Sequence, residues 1–200
     1  LSAEAGEVFG RHTSLISWHG KDGATFATEE RTVGAYATKG GTLIDWSTTL
    51  STKLAKVRLD GDPQHAGFHF RANQEVAKNG KQETYYLRPD GKGKPGETRN
   101  WDAKGRDPKA VNLPWNACSF VTGGKRYTVV RLNHPDNPKE ARGSEREYGR
   151  FGDYFEYDLT PDKPLKLRYR LWVQEGEMTV EGCAALAAGF AHPPAVKVGK

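Results

Sequence analysis

Short runs in which apolar and polar residues alternate follow one another from residue 26 onward, and turn-forming residues separate them. Alternation with a period of two places successive side chains on opposite faces of a strand, so this pattern is typical of antiparallel sheets with one buried face. Glycine and proline, with 23 and 11 copies, punctuate the whole length. We predict strands over these residues: 43–50, 56–59, 65–72, 82–87, 117–121, 126–132, 152–159 and 165–173.

The chain has 200 residues, the length of one domain, and can bury a core of ordinary size without disulfides or metal ions. We therefore predict one all-β domain over residues 1–200, an antiparallel β-sandwich that resembles a jelly roll. A short helix is expected near the C-terminus, where Thr179 can cap an Ala-rich run over residues 180–188 that is closed by Gly189 and the His192-Pro193-Pro194 stop. This helix would cover one edge or face of a sheet.

Residues 89–114 differ from the rest of the sequence, because Gly, Lys, Asp and Pro dominate them. We predict a long loop over this range. Loops of this length inside a compact domain are usually functional or disordered. Two alternatives therefore stay open, a lid over a binding face and a mobile insertion.

The chain carries 30 Lys and Arg residues against 25 Asp and Glu residues, a formal net charge of +5, and the basic residues are scattered. This excess suits an anionic ligand such as an acidic or sulfated glycan, but a solvated surface explains it equally well. No nucleic-acid-binding motif accompanies the charge, so nucleic acid is not an expected partner. No apolar run approaches the ~20 residues that span a bilayer, so no membrane span is expected.

Met178 is the only methionine, so Leu1 is not a translation start, and we expect a mature product after leader removal or a fragment. A secreted or periplasmic location is the favoured expectation. Cys118 and Cys183 lack a short spacing, which favours two free buried thiols over a disulfide. The sequence has no Gly-x-Ser-x-Gly elbow, P-loop or dinucleotide fingerprint, which argues against α/β-hydrolases, NTPases and Rossmann enzymes.

The predicted strand over residues 65–72 carries polar residues at alternate positions. Its apolar residues would face the core, while the other face presents two imidazoles and a guanidinium, from His65, His69 and Arg71. The two histidines would lie about 13 Å apart at ~3.3 Å per residue, too far to bind one ion at Zn–N distances of ~2.1 Å. We predict no metal and no cofactor, and no pattern indicates calcium; a metal site assembled from distant segments stays open.

The turn His134-Pro135-Asp136-Asn137-Pro138 follows the predicted strand over residues 126–132, and Arg146 and Tyr148 come soon after it. Arg146 and Tyr148 are two residues apart, so both point to one face if they lie in a strand. If the turn brings them beside His134, the three offer a general acid or base, a phenol and a fixed positive charge. We predict that His134, Arg146 and Tyr148 are catalytic; a structural role for His134 is the alternative.

Proton abstraction beside a carbonyl or carboxylate suits these three residues, because an arginine can stabilise the developing negative charge. Glycoside hydrolysis instead normally needs two carboxylates about 5–10 Å apart. The sequence offers acidic candidates, but no spacing selects a pair among them: Asp45, Asp62, Glu83, Asp102, Glu145 and Glu147.

Several segments, in this order and spacing, are similar to one bacterial domain family. They are Arg11-His12-Thr13-Ser14-Leu15, Gly41-Thr42-Leu43-Ile44-Asp45-Trp46 with Thr49-Leu50, Gly67-Phe68-His69-Phe70-Arg71, His134-Pro135-Asp136-Asn137 and Arg146-Glu147-Tyr148-Gly149. Together they resemble the PmoA-like domain family, and the resemblance runs through nearly the whole chain.

The resemblance implies a secreted or periplasmic β-sandwich from bacteria that degrade complex polysaccharides, with a role in carbohydrate metabolism. The family's traditional label, methane oxygenase, does not carry over, because a membrane oxygenase needs spanning helices and metal ligands that this hydrophilic chain lacks. The family pattern begins with a longer His-rich segment and often has a tryptophan where this chain has Ser144-Glu145. These departures argue further against a histidine-based metal site.

We therefore carry three hypotheses. The first is a carbohydrate-active enzyme, a lyase or hydrolase, with the catalytic residues named above and an oligo- or polysaccharide substrate, neutral or anionic. The substrate-binding residues would then be His65, His69, Arg71, Asn137 and Trp101. The second is a non-catalytic glycan-binding domain, in which Trp101, Trp115 and Trp172 stack on sugar rings. The third is a domain that only packs against a partner.

Overall fold

The computed structural model of the chain describes residues 1–101 and 104–195. The fold is the predicted all-β antiparallel sandwich with a short C-terminal helix. The strands of the described residues are β1 (Ser2–Ala5), β2 (Phe9–His19), β3 (Thr25–Thr38), β4 (Gly41–Ser51), β5 (Val57–Leu59), β6 (Phe68–Arg71), β7 (Tyr85–Arg88), β8 (Gly91–Lys92), β9 (Trp115–Thr122), β10 (Lys125–Asn133), β11 (Arg142–Arg146), β12 (Arg150–Tyr154), β13 (Tyr157–Leu159) and β14 (Leu165–Glu175). The α-helices are α1 (Gln74–Asn79) and α2 (Val180–Ala191), and short 3-10 turns lie at Lys81–Glu83 and Pro108–Ala110.

The sandwich has two unequal layers. One is a sheet of nine strands in the order β1-β2-β3-β4-β14-β10-β9-β7-β8, and β14 enters it between β4 and β10. The other layer consists of a three-stranded sheet, β11-β12-β6, and a two-stranded sheet, β13-β5. Both small sheets pack on the same face of the nine-stranded sheet, here called its inner face.

Alternation along β10 shows why this chain forms two layers of core. Val129 packs with Phe151 of the three-stranded sheet on the inner face. Val130 and Leu132 point the other way and pack with Cys183 of α2. The helix therefore covers the outer face of the nine-stranded sheet, as the sequence analysis allowed.

Helix α2 begins as predicted, because the Thr179 side chain accepts a hydrogen bond of 3.0 Å from the amide of Gly182. It ends at the predicted His192-Pro193-Pro194 stop and not at Gly189. The helix continues through Gly189 to Ala191, and His192 is the C-cap before Pro193. A glycine inside a helix costs only about 1 kcal/mol, whereas proline cannot continue the helix.

Most predicted strands are confirmed, and three are wrong in their bounds. The strand over residues 82–87 begins only at Tyr85, because Lys81–Glu83 form a 3-10 turn. The strand over residues 152–159 is divided at Phe155 into β12 and β13, which belong to different sheets. The strand over residues 65–72 begins only at Phe68, because the amides of His65 and Ala66 both donate to the Asp62 carbonyl in a turn. The strands β1, β2 and β3 were not predicted from the sequence.

The predicted loop over residues 89–114 contains only β8 and one 3-10 turn among its described residues. Asn100 and Val111 form isolated bridges with Ser144 and Arg142 of β11. The Trp101 amide donates 2.9 Å to the carbonyl of Gly143. This segment therefore extends the three-stranded sheet at its β11 edge.

Cys118 and Cys183 are both buried and free, as expected. Cys118 lies in the core between the two layers, and Cys183 lies under α2 on the other face of the nine-stranded sheet. The sheet itself keeps the two thiols apart.

A buried ionic network joins the two layers. Its members are Arg88, Asn116, Arg131, Glu145 and Asp153, and each is at most 2% exposed. Arg88 Nη2 lies 2.5 Å from Glu145 Oε2, and Asn116 Nδ2 donates 3.2 Å to Glu145 Oε1. Asn116 Oδ1 accepts from Arg131 Nε at 3.0 Å, and Arg131 Nη1 donates 2.6 Å to Asp153 Oδ2.

The network predicts a large loss of stability when one partner is removed. Glu145→Gln removes the buried counter-ion of Arg88 and leaves only its ion pair with Glu97, which is partly exposed, so we expect a decrease of about 3 kcal/mol in the free energy of unfolding. Urea denaturation measures this decrease. Glu4→Gln is the control, because Glu4 pairs with Arg11 at the surface and its loss should change little. Equal decreases in the two variants would contradict the role given to the network.

Candidate functional site

Three arginines form one row on the outer face of the three-stranded sheet. Arg71 of β6 pairs with Arg150 of β12, and Arg150 pairs with Arg146 of β11. Residues directly opposite one another in neighbouring strands share a face of the sheet. The three arginine side chains therefore lie side by side across the strands, on the same face. We call Arg71, Arg150 and Arg146 the arginine row.

Two predicted site residues, Arg146 and Tyr148, lie at this row with Arg71. Tyr148 sits in the turn between β11 and β12, and the Arg71 guanidinium lies 5.8 Å from its ring centroid. Arg146 Nη1 donates 2.6 Å to Asn100 Oδ1. The structure therefore brings Arg71, Arg146 and Tyr148 to one surface.

His69 lies on the same face, one row further along, opposite Gly152. Its Nε2 lies 2.7 Å from the Ala66 carbonyl and donates to it, so Nδ1 carries the lone pair, buried and without a hydrogen-bond partner. Burial lowers the pKa of His69 to about 4, and the positive charge of Arg150 acts in the same direction, against the hydrogen bond to Ala66.

His65 is not beside His69 on a strand face, because the strand begins at Phe68. It is exposed in the preceding turn, where its Nδ1 lies 2.5 Å from Asp62 Oδ2. Gly67, which lies between these two histidines in the sequence, leaves no space for a ligand. A Cβ on Gly67 would lie 2.0 Å from the carbonyl oxygen of Asp153, and φ there is +87°, so only glycine fits this approach of two backbones.

The structure separates His134 from Arg146 and Tyr148. His134 is 8% exposed at the end of β10, and its ring centroid lies 5.2 Å from that of Phe190 in α2. It thus lies on the outer face of the nine-stranded sheet, whereas β11 and β12 cover the inner face. The predicted grouping of the three is wrong, because the chain crosses to the other layer between β10 and β11.

Asn137 and His134 both make structural contacts. Asn137 Nδ2 donates 2.8 Å to the Arg168 carbonyl, and its Oδ1 accepts from the Arg168 amide at 2.9 Å, so it ties the turn to β14. His134 Nδ1 accepts 3.2 Å from the Asp136 amide. Burial lowers the pKa of His134, and the charge of Arg168 adds to this effect.

The tryptophans named for sugar stacking lie apart. Trp101 is half-buried at the β11 edge, and the guanidinium of Arg142 lies 4.3 Å from its ring centroid. Trp115 is 2% exposed in the core, so its predicted stacking on a ligand is wrong. Trp172 packs into the cluster under α2.

A cleft of about 490 Å³ opens between the inner face of the nine-stranded sheet and the two small sheets. The large sheet contributes Trp18, Glu29, Arg31 and Trp46 to its wall. The opposite wall includes Arg58, Asp60, Phe68 and Tyr154. Strands β2 and β3 supply Trp18, Glu29 and Arg31 to this cleft, and β4 supplies Trp46.

Glu29 organises the large-sheet wall of the cleft. It is 2% exposed and accepts hydrogen bonds from Arg31 Nε at 2.7 Å, Thr48 Oγ1 at 2.7 Å and Trp18 Nε1 at 3.0 Å. Burial raises the pKa of Glu29, but the hydrogen bonds from Arg31, Thr48 and Trp18 outweigh it and leave the pKa lowered. Glu29 is therefore a charged anchor that fixes its neighbours.

The neighbours of Glu29 form a continuous platform. The Arg31 guanidinium lies 5.4 Å from the ring centroid of Trp46. Trp46 in turn lies 5.1 Å from Phe68, measured between ring centroids. Arg31 donates to Glu29 through Nε and Nη2. Its Nη1 has no hydrogen-bond partner among the described residues.

The opposite wall carries a phenol and a carboxylate. The Tyr154 hydroxyl donates to Asp60, which lowers the pKa of Asp60, helped by the Gly61 amide. Burial and the same hydrogen bond raise the pKa of Tyr154 to about 12. Both carboxylates of the cleft, Glu29 and Asp60, are thus held in their ionised forms.

Sequence reasoning missed the cleft because it did not place β2 and β3. Glu29 and Arg31 are two residues apart, which in a strand sets a carboxylate and a guanidinium on one face. That spacing was a usable signal. The partners Trp18 and Thr48 come from neighbouring strands, and nothing local links them to Glu29.

A family model described as a family of unknown function, DUF6807, matches residues 1–188 of this chain. The chain belongs to this DUF6807 family. No curated protein matches it. The DUF6807 match spans every strand and nearly all of α2, so it includes both the cleft and the arginine row.

Two kinds of feature are absent from the described residues of this DUF6807 chain. Within residues 1–101 and 104–195, no three His, Cys, Asp or Glu side chains are grouped closely enough to hold a metal ion. No helix in the same ranges has the length and apolar character needed to cross a bilayer.

The burial of His69 makes a prediction about pH. Unfolded histidine has a pKa near 6.5, so between about pH 4 and 6.5 the unfolded chain binds a proton that folded His69 does not. Stability should therefore rise with pH across this window by an amount of about 3 kcal/mol. Denaturation at several pH values, compared with His69→Gln, isolates this slope. An NMR titration midpoint for His69 close to 6.5 would contradict the burial.

Proposed function

We propose that this chain binds an oligosaccharide in the cleft as a non-catalytic carbohydrate-binding domain. The observation that carries the proposal is the platform of Trp18, Arg31 and Trp46 that Glu29 fixes along one wall. Aromatic faces offer apolar area to a sugar ring, while fixed polar groups beside them select its hydroxyls. Glu29 fixes the Trp18 and Arg31 side chains before a ligand arrives. The entropy cost of ordering these side chains on binding is therefore small.

The size and openness of the cleft support a small saccharide. Its volume of about 490 Å³ lies within the range of about 300–1,000 Å³ that is usual for small-molecule sites. Trp18 is 38% exposed, so a ligand can reach its ring from solvent. Arg31 Nη1 supplies a hydrogen-bond donor at the same wall.

The protonation of the cleft favours binding over glycoside hydrolysis. A glycosidase needs one carboxylic acid that remains protonated to donate to the leaving group, and its pKa is therefore raised. Glu29 and Asp60 have lowered pKa values. The proposed acid/base group of His134, Arg146 and Tyr148 gives the enzyme hypothesis no support either, because the nine-stranded sheet separates His134 from the other two.

The sequence resemblance to the PmoA-like family is consistent with a sugar ligand. That family is associated with bacteria that degrade complex polysaccharides, so we propose the same setting and a secreted or periplasmic location for this chain. The proposal requires no metal and no cofactor.

Isothermal titration calorimetry with neutral, uronic-acid and sulfated oligosaccharides tests this function. Trp18→Ala should weaken binding of a retained oligosaccharide at least about tenfold, because it removes both the exposed ring and a donor to Glu29. Leu15→Ala is the matched control, since Leu15 is exposed on the opposite face of the same strand. Trp18→Phe should retain part of the affinity, because a ring remains.

Two results would contradict the proposal. One is an affinity that Trp18→Ala and Leu15→Ala leave equally unchanged, which would place the ligand elsewhere. The other is a new product mass after incubation with any of these oligosaccharides, lost in Trp18→Ala, which would make the cleft an active site.

A further inference from the structure

We propose that the arginine row is an oxyanion-binding site, in which Arg71 and Arg150 hold a carboxylate, sulfate or phosphate group of a ligand. The site lies on the outer face of the three-stranded sheet and is separate from the cleft. The two proposals can therefore be tested independently of each other.

The first argument is that the neighbouring guanidinium groups of Arg71 and Arg150 form no direct ion pair among the described residues, although Arg150 interacts at longer range with the Asp62 carboxylate, whose pKa it helps to lower. Like charges directly opposite one another on adjacent strands destabilise a sheet. Arg71 contacts the Gln74 side chain at 3.4 Å and the ring of Tyr148, and neither of these is an anion. Among the described residues, no carboxylate lies within ion-pair distance of Arg71 or Arg150, whereas Arg11 and Arg168 each have one.

The second argument is the burial of Arg150. The residue is 9% exposed, and its Nη2 is buried with no hydrogen-bond partner within residues 1–101 and 104–195. A buried polar atom without a partner costs about 1–3 kcal/mol, and more when the group is charged. An oxyanion between Arg71 and Arg150 would satisfy this donor and relieve the repulsion between the two charges.

The third argument is His69, on the same face in the next row. Its Nδ1 is also buried without a partner. The charged groups that act on its ring are Arg150 and Asp153 of β12 and Arg131 of β10, and the two arginines oppose its protonation. An anion beside Arg150 would favour protonation at Nδ1, which then becomes a second donor to the same anion.

Carboxylate, sulfate and phosphate share the chemistry that this row recognises, namely oxygen acceptors carrying negative charge. Guanidinium groups bind such acceptors through paired N–H donors. Arg71 is exposed, so an anion can approach from solvent, with Arg150 beneath it and Tyr148 at the side.

The test is an NMR titration of His69 with sodium sulfate, sodium phosphate or sodium glucuronate, each against sodium chloride at equal ionic strength. We expect at least one of the three anions to raise the His69 pKa by about one unit, with saturation at a single site. A response to glucuronate alone would indicate a sugar carboxylate, and a response to sulfate or phosphate an ester group. If none of the three anions shifts the His69 pKa more than chloride does, the proposal is wrong.

Arg150→Met separates a binding role from a structural role. It removes a buried charge that lacks a partner, so the variant should fold and, without added anion, melt no lower than the parent protein. It should also lose the anion-dependent shift of His69, whereas the control Arg11→Met should keep it. If Arg150→Met melts lower and retains the anion response, Arg150 is structural and the proposal is wrong.

Discussion

The buried ionic network between the two layers is the contact on which the rest of this structure depends. Arg88, Asn116 and Arg131 belong to the nine-stranded sheet, whereas Glu145 and Asp153 belong to β11 and β12. Packing of apolar side chains alone would tolerate small slips between the layers. Paired charges do not, because a slip would leave a charged group buried without its partner at a cost of several kcal/mol.

Fixing the three-stranded sheet in this way determines both proposed binding surfaces. The backbone of Asp153, held through its side chain by Arg131, approaches Gly67 and sets where β6 begins. Phe68 then lies in one wall of the cleft on the inner side. The outer side of the same strands carries the arginine row. The two surfaces therefore share one framework, although they differ in ligand chemistry.

Local pattern predicted the elements whose two faces differ in polarity. Short-range rules predicted the Thr179 cap of α2 and, in the nine-stranded sheet, the strands β4, β9, β10 and β14. The pairing of His134 with Arg146 and Tyr148 could not be settled in this way, because residues 135–141 cross from one layer to the other. Which side of a sheet a segment reaches depends on contacts far away in sequence, and here on the network around Glu145 and Asp153.

The candidate sites show the same limit. Arg71, Arg146 and Tyr148 were predicted as site residues, and the structure places them on one surface, although Tyr148 lies in the turn after β11 and not in a strand. Their most informative neighbour, Arg150, did not stand out, because its burial and its position between Arg71 and Arg146 are results of strand register. Scattered basic residues in the sequence thus become a local concentration of charge only after folding.

The central claim is that the cleft is where this DUF6807 chain binds a sugar. The most direct measurement follows the indole N–H signals of the five tryptophans in ¹⁵N-labelled protein as a retained oligosaccharide is added. We expect the signals of Trp18 and Trp46 to shift, while those of the core Trp115 and of Trp172 under α2 stay in place. Shifts confined to Trp101 or Trp172, or no oligosaccharide that moves any of these signals, would contradict the claim.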